Sequence, residues 1–426
     1  MIERFKTFNC KHQVLIVWCL RIIIGCTFII SGLSKMIDPW GFVYKIEQYL
    51  NVWGIILNRP LVVASSMSLS ATEFVLGAMM LLGCYRRGST WLLSMIMVVM
   101  LPFSLYIAIS NPVSDCGCFG DFFVMSNFAT FVKNIAISGF LVYLLWNNKK
   151  VEGFINVYTQ WLSGLFCLIY IIYIGILGYN VQPIVDFRDY KVGTNLVEKI
   201  NLAEEQDVDF EFIYEKDGVR KNFTSENLPD TTWTYIDRTL IDENPKTSMI
   251  AIYDGDEDVT RDVLNDTGDE IILLIPEIDN ADISHSYLIN EMYDYIAITG
   301  GSMIGIVASG ENNLEYWKDI SMADYPLYSA EDTDIKELAR GDISVIYLKD
   351  GIIKWKRVLN SIPSNYFSTS ISAQMLEELS TPNGYDLIIY TLYLILSILA
   401  LPLSEGVIIL LKKKKCSENE KKDVTL

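Results

Sequence analysis

Long apolar stretches fill most of the first 180 residues, and one more lies near the end of the chain. Six of them come close to or exceed the roughly 20 residues that a helix needs to cross a bilayer. They are Val14–Met36, Leu61–Gly83, Thr90–Ser110, Phe128–Trp146, Trp161–Tyr179 and Leu387–Leu411. The first is too long for the apolar core of a signal peptide and no small-residue cleavage site follows it, so we expect it to be retained. The pattern predicts a six-span membrane protein.

Between the fifth and sixth stretches the pattern changes to short apolar runs separated by segments with helical spacing. The runs that predict strands are Phe210–Tyr214, Val219–Phe223, Met249–Tyr253, Ile271–Ile275, Met303–Ala308, Ser344–Leu348 and Ile352–Lys356. The segments that predict helices are Ser284–Tyr295, Asn312–Lys318 and Asp332–Leu338. Turns that contain glycine join the first two strands and the last two, which predicts hairpins there. Strands that alternate with helices predict an α/β domain.

Lysine and arginine in the short connecting segments predict the orientation in the membrane. They cluster before the first span and after the second, fourth and sixth, as Arg4, Lys6 and Lys11, then Arg86 and Arg87, then Lys149 and Lys150, then Lys412–Lys415. With six spans all four clusters fall on one side, which the positive-inside rule assigns to the cytoplasm. Both termini are then cytoplasmic. The loop after the third span and the large α/β region are then extracytoplasmic, in the periplasm of a bacterial inner membrane.

The α/β region is strongly acidic. Residues 181–380 carry roughly −24 of formal charge, more than the −18 of the whole chain, so the remainder is net basic. Acidity on this scale argues against binding to nucleic acid and against lying flat on anionic lipid. It is typical of a solvated domain surface.

A short cysteine motif lies in the outward loop after the third span, Asp115-Cys116-Gly117-Cys118-Phe119-Gly120-Asp121. Two cysteines separated by one glycine in an oxidising compartment form either a structural disulfide or a pair that cycles between dithiol and disulfide. A metal site is a third alternative, but no further Cys or His lies nearby to complete a tetrahedral set. The flanking aspartates would raise the pKa of a nearby thiol, whereas Lys35 and Lys45, on the same side of the membrane, would offset them.

Three charged residues interrupt the spans, Arg21 in the first, Glu73 in the second and Lys133 in the fourth. Isolated charges at this depth are costly and usually face the bundle interior or each other. A structural ion pair between Arg21 and Glu73 is one interpretation. In the other, Glu73 relays a proton or contacts the headgroup of a membrane quinone beside the outer cysteines, and Arg21 and Lys35 are cationic contacts of that carrier.

The first four spans carry a resemblance to a known family. Ser31-Gly32-Leu33-Ser34-Lys35-Met36-Ile37-Asp38-Pro39 closes the first span, Glu73-Phe74-Val75-Leu76-Gly77 lies in the second, Leu82–Gly88 follows, and Cys116–Gly120 comes after the third. In this order, over about residues 14–148, these elements resemble the DoxX-like four-helix membrane family, and within it the branch typified by the methylamine-utilisation protein MauE. The resemblance covers roughly a third of the chain. It implies quinone-linked oxidation, as in some relatives, or maturation of disulfide-bearing periplasmic proteins, as in the MauE branch with its part in methylamine metabolism.

A second resemblance concerns the α/β region. Tyr325–Tyr328, Asp332–Arg340 and Val345–Gly351 resemble the second half of a thioredoxin-fold domain. The resemblance implies a thioredoxin-like unit that begins at about residue 245.

This unit lacks the residues that active thioredoxin-fold proteins use. They carry a Cys-x-x-Cys after the strand that corresponds to Ile271–Ile275, where this chain has Pro276–Ala281. The family's cis-proline, expected near Ile343, is also missing, and no cysteine occurs between Cys167 and Cys416. We therefore interpret the domain as a binding or docking module without thiol chemistry of its own.

The sequence thus predicts a membrane α-helical bundle with an α/β, thioredoxin-like extracytoplasmic domain. Its parts are a four-span domain (1–150), a fifth span (151–180), the acidic domain (181–384), and a sixth span with a basic tail (385–426). In the leading hypothesis, Cys116, Cys118 and Glu73 transfer electrons between an extracytoplasmic protein partner and a membrane carrier such as a quinone. The alternative is a non-enzymatic scaffold or assembly factor for periplasmic proteins, with a structural Cys116–Cys118 disulfide; a small-molecule transporter is a third interpretation.

Overall fold

The computed structural model describes residues 2–113, 116–148, 151–205, 210–216, 219–224, 227–230, 232–240, 250–310, 312–367 and 375–423. The chain forms two compact units. One, the membrane unit, comprises Met1–Tyr179, Pro183–Val185 and Pro382–Leu426. The other, the α/β unit, comprises Asn180–Gln182 and Asp186–Thr381.

The membrane unit is helical. Its helices are α1 (Ile2–Ile37), α2 (Pro39–Val52), α3 (Arg59–Leu82), α4 (Arg86–Ser110), α5 (Asn127–Asn147), α6 (Gln160–Asn180) and, near the end of the chain, α13 (Gly384–Asp423). Six segments are long and apolar enough to cross a membrane, namely His12–Ile37, Arg59–Leu82, Arg86–Ser110, Asn127–Asn147, Gln160–Asn180 and Gly384–Leu403. The six predicted spans are therefore confirmed within the described residues.

Helix α2 was not predicted. It begins where the Asp38 side chain accepts a hydrogen bond from the Gly41 backbone N–H at 2.9 Å, and Pro39 occupies its first position, where no N–H is needed. The helix is too short to span a membrane. Phe42 and Tyr49 on this helix line the chamber described below.

Helices α1 and α3 approach each other closely because small residues lie between them. A Cβ atom added to Gly32 would lie 2.5 Å from backbone atoms of both Ser70 and Phe74, and one added to Gly77 would lie 2.7 Å from the backbone nitrogen of Ile29. Glycine at both contacts lets the two backbones pack together. The bundle core beside this contact contains Val17, Ile24, Phe28, Leu76, Met80, Leu93, Met97, Ile137, Leu141 and Leu144.

Helices α6 and α13 pair with each other within the membrane unit. The Tyr170 hydroxyl lies 2.8 Å from Thr391 Oγ1, and the rings of Tyr173 and Tyr390 meet edge to face at 5.1 Å. The Tyr170 ring also packs against Phe74 of α3, at 5.5 Å between centroids. The two outer spans are therefore joined to the four-helix part through α6.

The α/β unit contains the remaining elements of the chain. In order they are α7 (Leu196–Glu205), β1 (Phe210–Lys216), β2 (Val219–Thr224), β3 (Thr234–Leu240), β4 (Ile252–Asp254), β5 (Glu257–Asp258), α8 (Thr260–Val263), β6 (Asp269–Ile275), α9 (Ser286–Thr299), β7 (Ser302–Ala308), α10 (Asn313–Ser321), β8 (Leu327–Ala330), α11 (Asp332–Leu338), β9 (Ser344–Lys349), β10 (Ile352–Val358) and α12 (Met375–Glu378). The first two and last two strands form the predicted hairpins. Strands β3, β5 and β8 and helices α7, α8 and α12 were not predicted, and Met249 of a predicted strand lies outside the described residues.

A seven-stranded mixed sheet organises this unit in the order β10-β9-β6-β7-β8-β4-β5. Strands β6, β7 and β8 are parallel, whereas β9 runs antiparallel to both β6 and β10. Successive residues of β6 enter different cores, Ile271 and Leu273 on one face and Ile272 and Leu274 on the other, because side chains alternate along a strand. The predicted α/β class is confirmed, and the thioredoxin-like classification stays a prediction.

The segment before the seven-stranded sheet divides into two parts. Tyr190, Leu196 and Ile200 pack into the same core as Ile272, so the α/β core recruits residues well before position 245. Strands β1, β2 and β3 instead form a separate three-stranded sheet in the order β2-β1-β3.

Candidate functional site

Cys116 and Cys118 face each other across Gly117 in the loop between α4 and α5. Their sulfur atoms lie 2.8 Å apart and are not bonded in this structure. Because an S–S bond is about 2.05 Å long, a small movement joins the two thiols. Gly117 has a φ of +66°, which side-chain-bearing residues rarely adopt, and a Cβ there would lie 2.7 Å from Lys45 Cγ. The glycine therefore fixes the turn that brings the sulfurs together.

The two thiols are not equivalent. Cys116 is buried, and its carbonyl accepts a 3.4 Å hydrogen bond from the Tyr49 hydroxyl. Its hydrogen bond to Cys118, burial and the nearby Cys118 charge raise the pKa of Cys116 well above its usual range. That hydrogen bond, together with the charges of Lys133 and Lys35, lowers the pKa of Cys118 to about 7 against the opposing effect of burial. Near neutral pH, Cys118 is therefore partly ionised, whereas Cys116 stays a thiol.

The charges that act on the thiols differ in part from the predicted ones. Asp115 lies outside the described residues. Lys35 contributes as predicted, but the cation with the larger effect on Cys118 is Lys133. Lys45 instead packs its methylene groups against Gly117.

Glu73 lies at the α1–α3 contact, beside the cysteine loop. Lys35 Nζ lies 2.5 Å from Glu73 Oε2, and both side chains are almost completely buried. The Ser31 hydroxyl lies 2.8 Å from the same carboxylate oxygen and 2.8 Å from the carbonyl oxygen of Cys118. A continuous series of polar contacts therefore leads from the buried ion pair to the backbone of Cys118.

Arg21 lies elsewhere in the membrane unit. Its guanidinium donates to the Asn148 side chain at 2.6 Å and to the carbonyls of Val151 and Asn148 at 2.7 and 3.0 Å. The helical rise of 1.5 Å per residue separates it from Lys35 by roughly 21 Å along α1. The predicted Arg21–Glu73 ion pair is therefore wrong. Arg21 stabilises the segment after α5 instead of lining the site with Lys35.

An apolar chamber of about 200 Å³ opens beside both cysteines, and Ser31, Lys35 and Glu73 lie on its wall. Helices α1 to α5 and the cysteine loop all contribute to it. Its apolar and aromatic lining consists of Phe28, Phe42, Ile46, Tyr49, Leu50, Trp53, Leu69, Ile96, Met97, Met100, Phe103, Phe119 and Ile137. An apolar cavity of roughly 150 Å³ binds benzene, so this chamber has the size for a single ring.

Two polar side chains of α5 complete the wall, Lys133 and Asn134. Lys133 Nζ lies 4.4 Å from the centre of the Phe119 ring, and no carboxylate within the described ranges pairs with it. Asn134 is 5% exposed, and its side-chain amide makes no hydrogen bond with any other residue that the structure describes. The chamber therefore offers both a cation and an amide to a polar ligand.

The first four spans of the membrane unit match a known family. Residues 13–147 match the family model of Methylamine utilisation protein MauE. The resemblance predicted for about residues 14–148 is thereby confirmed, and every chamber residue lies in this MauE-like region. A curated relative, Protein TlpB of Flavobacterium psychrophilum, is 27% identical over 146 residues, which cover 33% of this chain and 40% of that relative. Residues 208–241, which include β1 to β3, match Domain of unknown function (DUF8463), and no solved structure matches the chain.

The structure brings together four of the five predicted site residues, Cys116, Cys118, Glu73 and Lys35, as the preceding distances show. Sequence reasoning missed Ser31, Lys133 and Asn134 as members of the site. Ser31 and Lys35 are one helical turn apart, so their common face was readable from the sequence. Lys133 and Asn134 are adjacent to each other, and no pattern in the sequence indicated that both would reach the chamber. Across the described residues, no group of His, Cys, Asp and Glu is arranged to hold a metal ion.

Proposed function

We propose that this protein is a membrane thiol–disulfide electron carrier. It would oxidise thiols of an extracytoplasmic protein and pass the electrons to a quinone of the membrane. The observation that carries the proposal is that an adjacent, unequal pair of thiols opens onto an apolar chamber with buried polar groups. Neither the thiol pair nor the chamber alone points to this chemistry, because pairs of cysteines also form structural disulfides and apolar chambers also hold lipid.

The thiols have the properties that exchange requires. In the proposed direction, a thiolate of the partner attacks the Cys116–Cys118 disulfide, and the cysteine with the lower thiol pKa leaves more readily. Cys118 fits that description, with its pKa of about 7. Cys116, a buried thiol 2.8 Å from it, is the partner that closes the intramolecular disulfide.

The chamber fits a quinone headgroup by shape and by chemistry. Phe42, Phe103 and Phe119 supply aromatic surfaces, and aromatic rings stack on planar rings at close distance. The buried amide of Asn134 and the ammonium of Lys133 can donate hydrogen bonds to carbonyl oxygens. A bound quinone would accept two electrons and two protons and leave as the hydroquinone.

The reaction balances in two steps. Two thiols of the partner protein reduce the Cys116–Cys118 disulfide by exchange, so the partner gains a disulfide and this chain regains both thiols. Cys116 and Cys118 then give two electrons to the quinone as their sulfur–sulfur bond forms again, and the quinone takes up two protons, one from the Cys116 thiol and one from the Cys118 thiol or, where Cys118 is ionised, from water. The net change is oxidation of one pair of partner thiols for each quinone reduced.

The α/β unit is the proposed docking module for the partner protein. Its sequence contains no cysteine between Cys167 and Cys416. We therefore assign it recruitment of the partner protein and no part in thiol exchange. We place this unit and the cysteine loop on the periplasmic side of a bacterial inner membrane, with both termini in the cytoplasm, because four Lys and Arg clusters fall on the opposite side.

The test uses the full-length protein in lipid nanodiscs. After reduction and removal of the reductant, we expect decylubiquinone or a menaquinone analogue to be reduced while the Cys116–Cys118 disulfide forms, in equal amounts. Quinone reduction is followed by absorbance and the disulfide by peptide mass. Cys116→Ser and Cys118→Ser should abolish both signals. Cys84→Ser is the matched control, because Cys84 is buried beside Ser163 and does not line the chamber.

A structural disulfide between Cys116 and Cys118 is the second candidate, and one observation favours it. Cys116 packs in a small core with Tyr49 and Ile107, so a Cys116–Cys118 disulfide would hold the loop against α2 and α4. In that case the protein is a scaffold or assembly factor for periplasmic proteins. The disulfide would then resist mild reductants until the protein is denatured, and the cysteine variants would lose the protein itself and not only its activity.

A further inference from the structure

Two lysines line the chamber, and they differ in their counter-ions among the residues that the structure describes. Lys35 Nζ lies 2.5 Å from Glu73 Oε2, and both side chains are almost completely buried. Lys133 Nζ lies 4.4 Å from the centre of the Phe119 ring and pairs with no carboxylate in the described part of the chain. The charge of Lys35 is therefore balanced within the protein, whereas the charge of Lys133 is open to another group.

The thiolate of Cys118 is the group that balances Lys133 in the reduced protein. Of the two lysines, Lys133 has the larger electrostatic effect on both Cys116 and Cys118. That effect favours the ionised form of the thiol, and charges attract more strongly in apolar surroundings than in water. Reduced protein with an ionised Cys118 therefore contains a second pair of balanced charges beside the pair of Lys35 and Glu73.

Disulfide formation changes the charge of the chamber by one unit. Lys35 and Glu73 balance each other in both states, because neither takes part in the bond that forms. Once the sulfur of Cys118 is bonded to that of Cys116, its negative charge is gone. Lys133 is then a cation that no described residue balances, surrounded by apolar side chains. Such a charge is costly, so the oxidised chamber favours a ligand that brings a negative charge.

A second hydrogen-bond donor lies beside Lys133 on the chamber wall. Asn134 is the next residue of α5, is 5% exposed and makes no side-chain hydrogen bond with any other described residue. An ammonium and an amide N–H both donate to oxygen acceptors. The two donors reach the chamber from one stretch of α5, so this is the wall at which a negatively charged oxygen is most stable.

We infer that Lys133 is a catalytic residue, which stabilises the negative charge that passes from the Cys118 sulfur to one oxygen of the quinone. The Cys118 thiolate and the Cys116 thiol supply two electrons as their sulfur–sulfur bond forms. The proton of Cys116 goes to one quinone oxygen, and Lys133 holds the other oxygen while it is negatively charged. Water then protonates that oxygen, and the neutral hydroquinone leaves. This role of Lys133 deepens the proposed function and rests on it.

The step balances in atoms, charge and electrons. The reactants carry one negative charge, on Cys118, and one transferable proton, on Cys116. Afterwards the quinone carries that charge, that proton and the two electrons that left the sulfurs. Cys116 is the only proton donor that the protein supplies in this step, so Glu73 stays ionised beside Lys35 throughout.

The first measurement compares two quinones that differ in charge and little in shape. Duroquinone is neutral, whereas its analogue with a hydroxyl in place of one methyl group is ionised at neutral pH, and neither has a free ring position where a thiol can add. Both are titrated by calorimetry into full-length oxidised protein in nanodiscs, with empty nanodiscs as the background. We expect the anion to bind about tenfold more tightly, because hydrogen bonds to charged groups are stronger than neutral ones.

Variants of Lys133 assign this preference to its charge. Lys133→Met should bind the two quinones equally, and its binding of duroquinone shows that the chamber is intact. Lys133→Arg keeps the positive charge and should keep the preference for the anion.

The second measurement separates the effect of Lys133 on the thiol from its effect on the quinone. Reduced protein is mixed with duroquinone and, in parallel, with iodoacetamide, which alkylates Cys118 without placing negative charge on an oxygen. Both rates are proportional to the thiolate fraction, so their ratio at a given pH does not depend on it. We expect Lys133→Met to slow quinone reduction about a hundredfold more than alkylation, the typical effect of removing one donor from a developing negative charge.

Lys45→Met is the matched control. Lys45 is also a lysine near the cysteine loop, but it packs its methylene groups against Gly117 and does not line the chamber. Methionine preserves that apolar contact, so the preference for the anion and the ratio of the two rates should both stay at their wild-type values.

Two results would overturn the inference and leave the proposed function standing, provided that the wild type reduces duroquinone. One is equal binding of the two quinones by the wild type, and the other is a Lys133→Met variant that slows both reactions by the same factor. A reduced wild type that reacts with iodoacetamide but does not reduce duroquinone would overturn the proposed electron acceptor and the inference with it.

Discussion

Lys35 Nζ lies 2.5 Å from Glu73 Oε2 across the contact between α1 and α3, with side chains only 4% and 5% exposed. Removing one partner leaves a buried charge without its counter-ion, which typically costs about 3–5 kcal/mol. We expect Lys35→Met and Glu73→Leu each to lower the thermal midpoint of the detergent-solubilised protein strongly. The double variant should be more stable than either single variant, because no isolated charge remains. Additive losses in the double variant would show that the pair does not interact as described.

The reactivity of Cys118 should depend on pH with a midpoint near 7. The thiolate is the reactive form, and the hydrogen bond from Cys116 is the first cause of the lowered pKa of Cys118. Cys116→Ala should therefore move the midpoint to higher pH, whereas Cys116→Ser retains a donor and should move it less. Iodoacetamide labelling of Cys118 at a series of pH values, read by mass spectrometry, measures this. Labelling of Cys116 before Cys118 would contradict the assignment.

The charge of Lys133 should also accelerate the reaction of Cys118. It is the cation with the larger effect on the pKa of that thiol, and its ammonium lies over the Phe119 ring. We expect Lys133→Met to slow labelling at neutral pH several-fold and to make the disulfide less oxidising, because the reduced thiolate loses stabilisation. Lys133→Arg keeps the charge and serves as the control. If both variants slow labelling equally, shape and not charge is responsible.

Gly117 should tolerate no side chain. Its φ is +66°, which residues with a side chain rarely adopt, and an added Cβ would lie only 2.7 Å from Lys45 Cγ. We expect Gly117→Ala to cost about 1–2 kcal/mol and to impair closure of the disulfide, measured as a slower return of the oxidised peptide after reduction. Gly139 is the matched control, since a Cβ there meets nothing within 4 Å, and Gly139→Ala should close the disulfide at the normal rate.

Glu270 should make the stability of the α/β unit depend on pH. Burial raises the pKa of Glu270 to about 7, against hydrogen bonds from Asn265 and Ser302 that lower it. A carboxyl whose pKa is higher in the folded than in the unfolded protein does not lower the free energy of unfolding at pH values below its unfolded-state pKa, near about 4.3. The free energy of unfolding then falls as the pH rises through the folded-state pKa of about 7. The loss is about 3–4 kcal/mol by that linkage.

Pulse proteolysis in urea at several pH values checks this on the full-length protein. Glu270→Gln should remove the loss, since the amide stays neutral at every pH. Glu257→Gln, at an exposed position, should retain it. A wild-type α/β unit whose stability is flat between pH 4.5 and 8 would contradict the prediction.

The helices and strands of this chain were largely readable from its sequence, because each depends on local composition. Twenty apolar residues in a row have one stable arrangement in a bilayer, so the first five spans were found to within a few residues, and the sixth was predicted to end eight residues beyond Leu403, the last residue of the membrane-crossing segment. The strands of the seven-stranded sheet were equally readable wherever they were apolar throughout, as in β6 and β7. Strands β3 and β8 were missed because Thr234–Leu240 contains charged residues and Leu327–Ala330 is very short.

The partner of Glu73 was not readable from sequence. Arg21, Lys35 and Lys133 are all cations in or at the end of a span, and spacing along the chain does not say which of them α3 will meet. The choice depends on where α1 and α3 approach most closely, which Gly32 and Gly77 decide. That contact places Lys35 beside Glu73 and leaves Arg21 roughly 21 Å away along the helix.

By itself, the sequence determined the six spans, the acidic α/β domain and the thiol pair Cys116 and Cys118, because hydropathy, charge and residue type act over a few neighbouring positions. Only the tertiary structure decided that the pair opens onto an apolar chamber, that Lys133 and Asn134 reach that chamber from α5, and that Ser31 touches both Glu73 and Cys118. These relationships join residues far apart in the chain, and they exist only once the helices have packed.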